Sequence, residues 1–405
     1  MTEEALSDTR ADDRVDFALA RAEVAAWQVQ RLEAERMAAV VAVIREARRS
    51  PQIYVVPRDE PTPRDVAFAV EAAVADVAVR LSMSEAHISA LVRRGEILLD
   101  RAPTVWTVFR EGEISAQNAA CVADVLESLP ADSRVDARVA ARALELAHLV
   151  PTRFRERLRA FRDRVHPESQ RERHESARAA RRAWLDHDVD GMAWLGVHLT
   201  SVDAETAWQR ADGIARRLAT CDDEARTLDQ LRADVLADIL TGRSDPATEP
   251  RVTVGVLVPV LTLLGEDDAP ATLEGRIPID AETARRLAAQ APSFHRILTH
   301  PISSAVVDVD RTSYRPPADL APLLALRDVT CRHPGCGRPA KGCDIDHTTD
   351  WALGGTTSVR NLAHLSRRHH TLKHRTRWKV EQTREGIIRW TSPTGFVRDA
   401  DPPPF

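Results

Sequence analysis

Aromatic residues are scarce in this 405-residue chain, at 4%, while Ala, Arg, Glu, Asp and Leu dominate its first 245 residues. That bias disfavours a sheet-rich fold and predicts helices. The N-terminus lacks an apolar run as well: the acidic start "MTEEALSDTRADD" has no hydrophobic stretch behind it. Neither a secretory leader nor a membrane span is read there, so the expected compartment is the cytoplasm. Cysteine is sparse, with five in all. Cys121 and Cys221 stand singly in helical patterns, whereas Cys331, Cys336 and Cys343 fall within thirteen residues. In a cytosolic chain that cluster favours metal over disulfides.

What is present predicts a mainly α fold with a small α/β middle segment and a compact C-terminal module. The length suits roughly two or three domains. Residues 14–49 carry apolar side chains at helical spacing and stop at "SPQIYVVPRDEPTP", which predicts an N-terminal helix and leader over 1–50. The periodicity resumes as a helical domain over 64–243, with Gly112 and Ser115 as punctuation. Within it Ser84 is placed to cap a helix, with His87 where a capping box has Glu or Gln. Leu81 to Gly95 then form either a helix-turn-helix or an ordinary hairpin of a bundle, which needs no DNA. "RERHESARAARRAW" reads as an exposed charged helix. "DGMAWLGVHLTS" reads as a buried strand, and "RVTVGVLVPVLTLLG" as a second strand opening a small α/β connecting segment over 251–326. "PIDAETARRLAAQAP" reads as a capped helix leaving it. The C-terminal module is expected over 327–392, followed by a disordered tail over 393–405.

Charge separates that module from the body. The whole chain has a net charge of −5, yet residues 327–390 hold thirteen Lys and Arg against six Asp and Glu. A basic module on an acidic body suits contact with a polyanion. Six of the fourteen histidines lie in the same region. Spacing divides its donors in two. Cys331 and Cys336 flank a Pro-Gly turn in "CRHPGC", from which two thiolates can converge on one zinc ion. His369 can complete the set, while Ser366, one turn before it, is a poor ligand; His333, Cys343 and His364 stay open as the fourth donor. The second set is Asp346, His347, Asn361, His370 and His374. On a helix His370 is rotated about 100° from His369 and faces away from it, whereas His374 shares the face of His370. "CDIDH" alternates like a strand, Gly354 and Gly355 supply a turn, and "NLAHL" returns before the helix. Adjacent strand residues diverge, so Asp346 can bind a divalent ion while His347 acts as a general base on water. Such a pair suits phosphodiester cleavage.

The "DH" pair, then Asn361, then His370 resembles the motif of HNH endonucleases, the ββα-metal nucleases. Residues 326–396 are similar to the C-terminus of the actinobacterial, notably mycobacterial, multicopy repeat family of HNH proteins, whose members carry a helical N-terminal domain of unknown function. "GEISAQNA", "DGMAWLGVHL" and "GRIPIDAETARRLA" resemble blocks of that domain. The resemblance implies a treble-clef-like ββα-metal module that cuts double-stranded DNA with Mg²⁺, Mn²⁺ or another divalent ion. It implies catalytic roles for His347 as general base, Asn361 and His370, metal ligation by Asp346, His370 and His374, and a structural zinc on Cys331, Cys336 and His369. Asn361 is either a ligand or the residue that holds the His347 loop in register. Arg367, Arg368, Lys373 and Arg375 are expected to contact phosphates, and Trp351 and Trp378 either to pack the module or to stack on a base. Ser366 departs from the family, which usually has Cys there as a zinc ligand. The alternatives are a zinc-stapled module that binds DNA without cutting, and an inactive mobile-element remnant.

Overall fold

A computed structural model describes residues 3–56, 61–166, 170–188, 190–221, 223–241, 256–273, 277–289, 320–383 and 386–400. The fold is mainly helical with small antiparallel sheets, and it divides into two compact units: Met1–Pro167 with Ile297–Phe405, and Glu168–Arg296. The division falls inside the stretch 64–243 that periodicity assigns to one domain, and the first helix belongs to the bundle rather than to a separate leader. Among the described residues no helix is long and apolar enough to cross a membrane.

The first unit begins with seven helices: α1 Glu3–Arg49, α2 Pro63–Leu81, α3 Glu85–Arg101, α4 Pro103–Glu111, α5 Ala116–Glu127, α6 Ser133–Glu145 and α7 Pro151–Val165. Their ends follow local chemistry. Thr62 and Asp65 form a capping box before α2, with Pro63 in the first turn. Ser82, in the left-handed region at φ 53°, ends α2, and Ser84 caps α3 by accepting from His87 N at 3.1 Å. Gly112, at φ 87°, ends α4 where any Cβ would lie 2.7 Å from the Trp27 ring. The core is largely aliphatic, and α2 brings small residues to it. Ala69, Ala72, Ala73, Ala75 and Ala78 of α2 are buried, so neighbouring helices pack close to its backbone, and Phe109 and Phe154 are among the few large side chains fully enclosed.

The second unit holds α8 Gln170–Ala179, β1 Arg182–His187, β2 Ala193–His198, α9 Ser201–Leu218, α10 Leu228–Thr241, β3 Val256–Leu257, α11 Val260–Leu264, β4 Ala271–Leu273, β5 Ile277–Ile279 and α12 Ala281–Ala289. α8 is exposed, as its charge pattern predicts. β2 is a strand but not a buried one: among the described residues it pairs only with β1, and Trp184 and Trp194 remain 50% and 69% exposed. Among the described residues no second layer covers the two strands. The apolar run at 251–265 is not one strand either. Residues 251–255 lie outside the described part, β3 is two residues long, and Pro259 stands at the N-cap of α11. The small sheet runs β3-β4-β5, with α12 starting after Asp280, which accepts from Thr283 N at 2.8 Å.

The chain then returns to the first unit with α13 Leu320–Asp328, β6 Asp344–His347, β7 Leu362–Leu365, α14 Arg367–Arg375, β8 Lys379–Gln382, β9 Ile388–Thr391 and β10 Val397–Asp399. β10 lies within the expected disordered tail. It forms because Gly395, at φ 85°, turns the chain back onto β9 and Arg389 grips Asp399 at 2.7 Å. This segment shares one apolar core with the helical bundle. Trp378 is buried and donates to Ala72 O of α2 at 3.3 Å, and Arg377 N donates to Tyr54 O at 2.8 Å.

Candidate metal centre

β6 and β7 pair antiparallel, with Asp346 opposite Ala363 and His347 opposite Leu362, and α14 follows at once. A buried ionic knot anchors β7 to the end of α13. Arg327 donates to Leu362 O at 2.7 Å and to Asp328 at 2.8 Å. Asp328 also accepts from His364 N at 2.8 Å and His364 Nδ1 at 3.0 Å. Burial raises the cost of its charge, but Arg327 and His364 outweigh that and keep the carboxyl below its ordinary range.

On one side of α14, Asp346, His370 and His374 bring a ligand atom each within 4.8 Å of one another. Asp346 Oδ1 lies 3.3 Å from His370 Nε2 and 3.1 Å from His374 Nε2. Its other oxygen is held by Lys373 Nζ at 2.8 Å. Burial works against the Asp346 charge, yet His370, His374 and Lys373 together hold the carboxyl well below the usual carboxylate range. A carboxylate and two imidazoles suit a divalent first-row ion, and the cluster is partly open, since the His370 and His374 side chains are 29% and 36% exposed. Asp344, two residues before Asp346 on the same strand face, accepts from His370 Nδ1 at 3.0 Å and so orients that ring, a partner sequence reasoning missed. The strand period of two was the signal that could have found it.

His347 points elsewhere, as its place in the strand requires. It is buried, its Nε2 is 2.9 Å from Thr357 Oγ1, and Trp351 lies at 5.8 Å between ring centroids. Burial depresses its pKa, as does Lys373, against the opposing pull of Asp346 and Asp350; a neutral imidazole is the form a base needs. Asn361 makes no contact with the carboxylate cluster that would fit a ligand. Its Oδ1 accepts from Thr348 Oγ1 at 2.9 Å and Thr349 N at 2.8 Å, and its Nδ2 donates to Thr349 O and Thr356 O. All its polar capacity clamps the loop after His347, so of the two roles expected for it the geometry favours holding that loop in register. Gly355 must be glycine for the same clamp, because a Cβ would sit 1.9 Å from Thr349 O and 2.7 Å from Asn361 Nδ2.

On the other side of α14, Cys331, Cys336 and His369 form a second set within 4.8 Å. Cys331 Sγ is 3.3 Å from His369 Nδ1. Burial opposes a charged His369, but Cys331, Cys336 and Glu85 push its pKa up to about 11, while Cys331 and burial push the Cys336 thiol up to about 12. The pocket thus favours a positive charge among sulfurs, and two thiols with an imidazole fit zinc in kind. Of the open fourth donors, His364 is engaged by Asp328. His333 stacks on His369 with centroids 3.8 Å apart and planes 6° from parallel, and parallel rings cannot both aim an in-plane lone pair at one ion. Cys343 turns its thiol to Pro339 O at 3.3 Å. Ser366 lies beside the set: its Oγ is 3.0 Å from His369 Nδ1, its N donates to Cys331 Sγ at 3.2 Å, and it also caps α14.

The basic residues divide differently from expectation. Lys373 is not a solvent-facing phosphate contact; its side chain is only 8% exposed and bridges Asp346 and Asp350, because three residues on from His370 it lies about 60° from that residue around the helix. Arg368 is paired with Glu85 of α3 at 2.5 Å. Arg367 is largely exposed and touches Asp344. Arg375 lines a cavity of about 200 Å³ together with His374, Arg64 and Phe68. Trp378 packs, as expected, against Trp390 and His333.

As a class this is a mainly helical chain whose C-terminal hairpin and helix carry two donor clusters back to back. Residues 24–328 match the family described as a domain of unknown function, DUF222, and the chain belongs to that family. It is 32% identical over 371 residues to the uncharacterized protein Rv3776 of Mycobacterium tuberculosis (strain ATCC 25618 / H37Rv), spanning 82% of this chain and 70% of the relative. It is 28% identical over 392 residues to the uncharacterized protein Rv2100 of the same strain, spanning 82% and 69%. No solved structure matches it. The family match ends at Asp328, so both donor clusters lie beyond it.

Proposed function

We propose that the C-terminal module is a metal-dependent endonuclease of the HNH type that hydrolyses phosphodiester bonds of double-stranded DNA. The observation that carries this reading is the convergence of Asp346, His370 and His374 on one side of α14 beside a buried, pKa-depressed His347 on the adjacent strand position. Asp346, His370 and His374 would hold Mg²⁺, Mn²⁺ or another divalent ion, and that ion when bound supplies Lewis-acid stabilisation of the charge developing on the leaving 3′ oxygen. His347 takes the proton from the attacking water. Asn361 keeps His347 and its loop in register. Asp344 orients His370, and Lys373 orients Asp346. Arg367 and Arg375 are placed to meet phosphates without reading bases, which favours weak sequence preference. Cys331, Cys336 and His369 would hold a structural zinc with Ser366 at the fourth vertex.

The test is purified full-length protein on supercoiled plasmid with several divalent ions, with EDTA, and beside His347→Ala. Nicking that needs the ion and is lost in the variant supports the proposal. Binding without nicking under every ion overturns it and leaves the second reading, a zinc-stapled DNA-binding module that does not cut. Metal analysis of protein never exposed to EDTA should find about one zinc per chain.

A further inference from the structure

The zinc-side histidine has a second partner that comes from the helical bundle. Glu85, in the first turn of α3, lies 284 residues away in sequence, and its Oε1 is 2.5 Å from His369 Nε2. Its other oxygen takes Arg368 Nε at 2.5 Å. The Glu85 side chain is 15% exposed and the His369 side chain 4%, and His333 closes over the imidazole as a stacked lid. His369 therefore presents Nδ1 to Cys331 and Ser366 and Nε2 to a carboxylate. A ligand histidine whose other nitrogen donates to a carboxylate is fixed in tautomer and ring orientation and is a stronger donor to its ion.

We propose that Glu85 is a positioning residue for His369, so that the DUF222 helical bundle completes the zinc site of the C-terminal module and the docking of α3 is coupled to zinc retention. The inference rests on the zinc reading above. By linkage, zinc held on His369 strengthens the α3 contact by the same factor that the contact strengthens zinc binding.

The experiment is zinc competition against a chromogenic chelator with the full-length, zinc-loaded protein, comparing wild type with Glu85→Ala, Glu85→Gln and Arg368→Ala. Glu85→Ala should weaken zinc retention about 10- to 100-fold. The near-isosteric Glu85→Gln, which keeps volume and an acceptor oxygen but loses the charge, should fall between it and wild type and guards against misfolding. Arg368→Ala removes the other half of the docking contact but leaves the Glu85–His369 bond, so it should lower retention less than Glu85→Ala does. Equal retention in wild type and both Glu85 variants overturns the inference alone, as does an Arg368→Ala loss as large as that of Glu85→Ala, which would mean docking without ligand positioning. A wild-type protein that holds no zinc overturns the zinc reading and this inference with it.

Discussion

The two faces of α14 differ in almost every physical respect although their key histidines are neighbours in sequence. His369 faces sulfur, is 4% exposed in its side chain and is covered by a stacked ring and a carboxylate. His370 faces oxygen, is 29% exposed and shares Asp346 with a half-open His374. A closed, thiol-rich pocket suits an ion that staples a fold, and an open, carboxylate-bearing one suits an ion that must meet a substrate. The rotation of about 100° between adjacent helical residues is enough to separate the two. Variants that strike one face and spare the other are the means of breaking this comparison.

The largest effect is expected from His347→Ala. Under the nuclease reading it removes the base and should lower plasmid nicking by roughly 10²- to 10⁴-fold, with bound zinc unchanged because the Cys331 side is untouched. Nicking at the wild-type rate would end the assignment of His347 as base. Loss of zinc in the same variant would show that the two faces are not independent.

Asp328 supports both faces, and its variant should damage them together. Removing it strands Arg327 and His364 in the interior, so Asp328→Ala should cost about 3–5 kcal/mol of stability by chemical denaturation. The pH dependence follows from its depressed pKa. Its contribution is fully present above the unfolded carboxylate value of about 3.9 and disappears as pH falls through the lower folded value. The wild type should therefore lose stability below about pH 4, and the variant should lose less over that range. A variant with the same acid transition as wild type would mean that other carboxylates govern it. Gly355→Ala strikes only the open face. Its Cβ collides with Thr349 O and Asn361 Nδ2, so the loop must shift at a cost of about 1–3 kcal/mol, and nicking should drop while zinc content stays.

Much of this arrangement was legible in the sequence because its signals are local. "CDIDH" alternates, the two glycines announce a turn, and Ser366 begins α14 as a cap, so strand, loop, strand and helix follow from short-range rules. The split of His369 from His370 needs only the helical repeat. Asp344 was legible by the strand period yet was passed over for its neighbour. What could not be read depends on the fold as a whole. Nothing in positive charge says that Lys373 turns inward to Asp346 while Arg375 does not, since burial decides it. Glu85 carries no local mark of its bond to His369. The exposed faces of β1 and β2 show the opposite failure, because an apolar strand pattern states what a residue would prefer to bury and not whether a second layer exists.

The smallest expected effect is the sharpest test of the closed face. Ser366→Cys would place a thiol at the vertex where Ser366 Oγ now sits 3.0 Å from His369 Nδ1, and would weaken the cap that Ser366 gives α14. Without zinc the variant should be less stable than wild type by about 0.5–2 kcal/mol, the cost of a lost cap. With zinc it should be the more stable of the two, because a third thiolate closes the tetrahedron. Melting each protein with and without chelator separates the two terms, and the chelator-induced shift should be larger for the variant. An equal shift in both would mean that Ser366 is not at the fourth vertex, and would return the position to Cys343, whose thiol needs only to rotate away from Pro339 O.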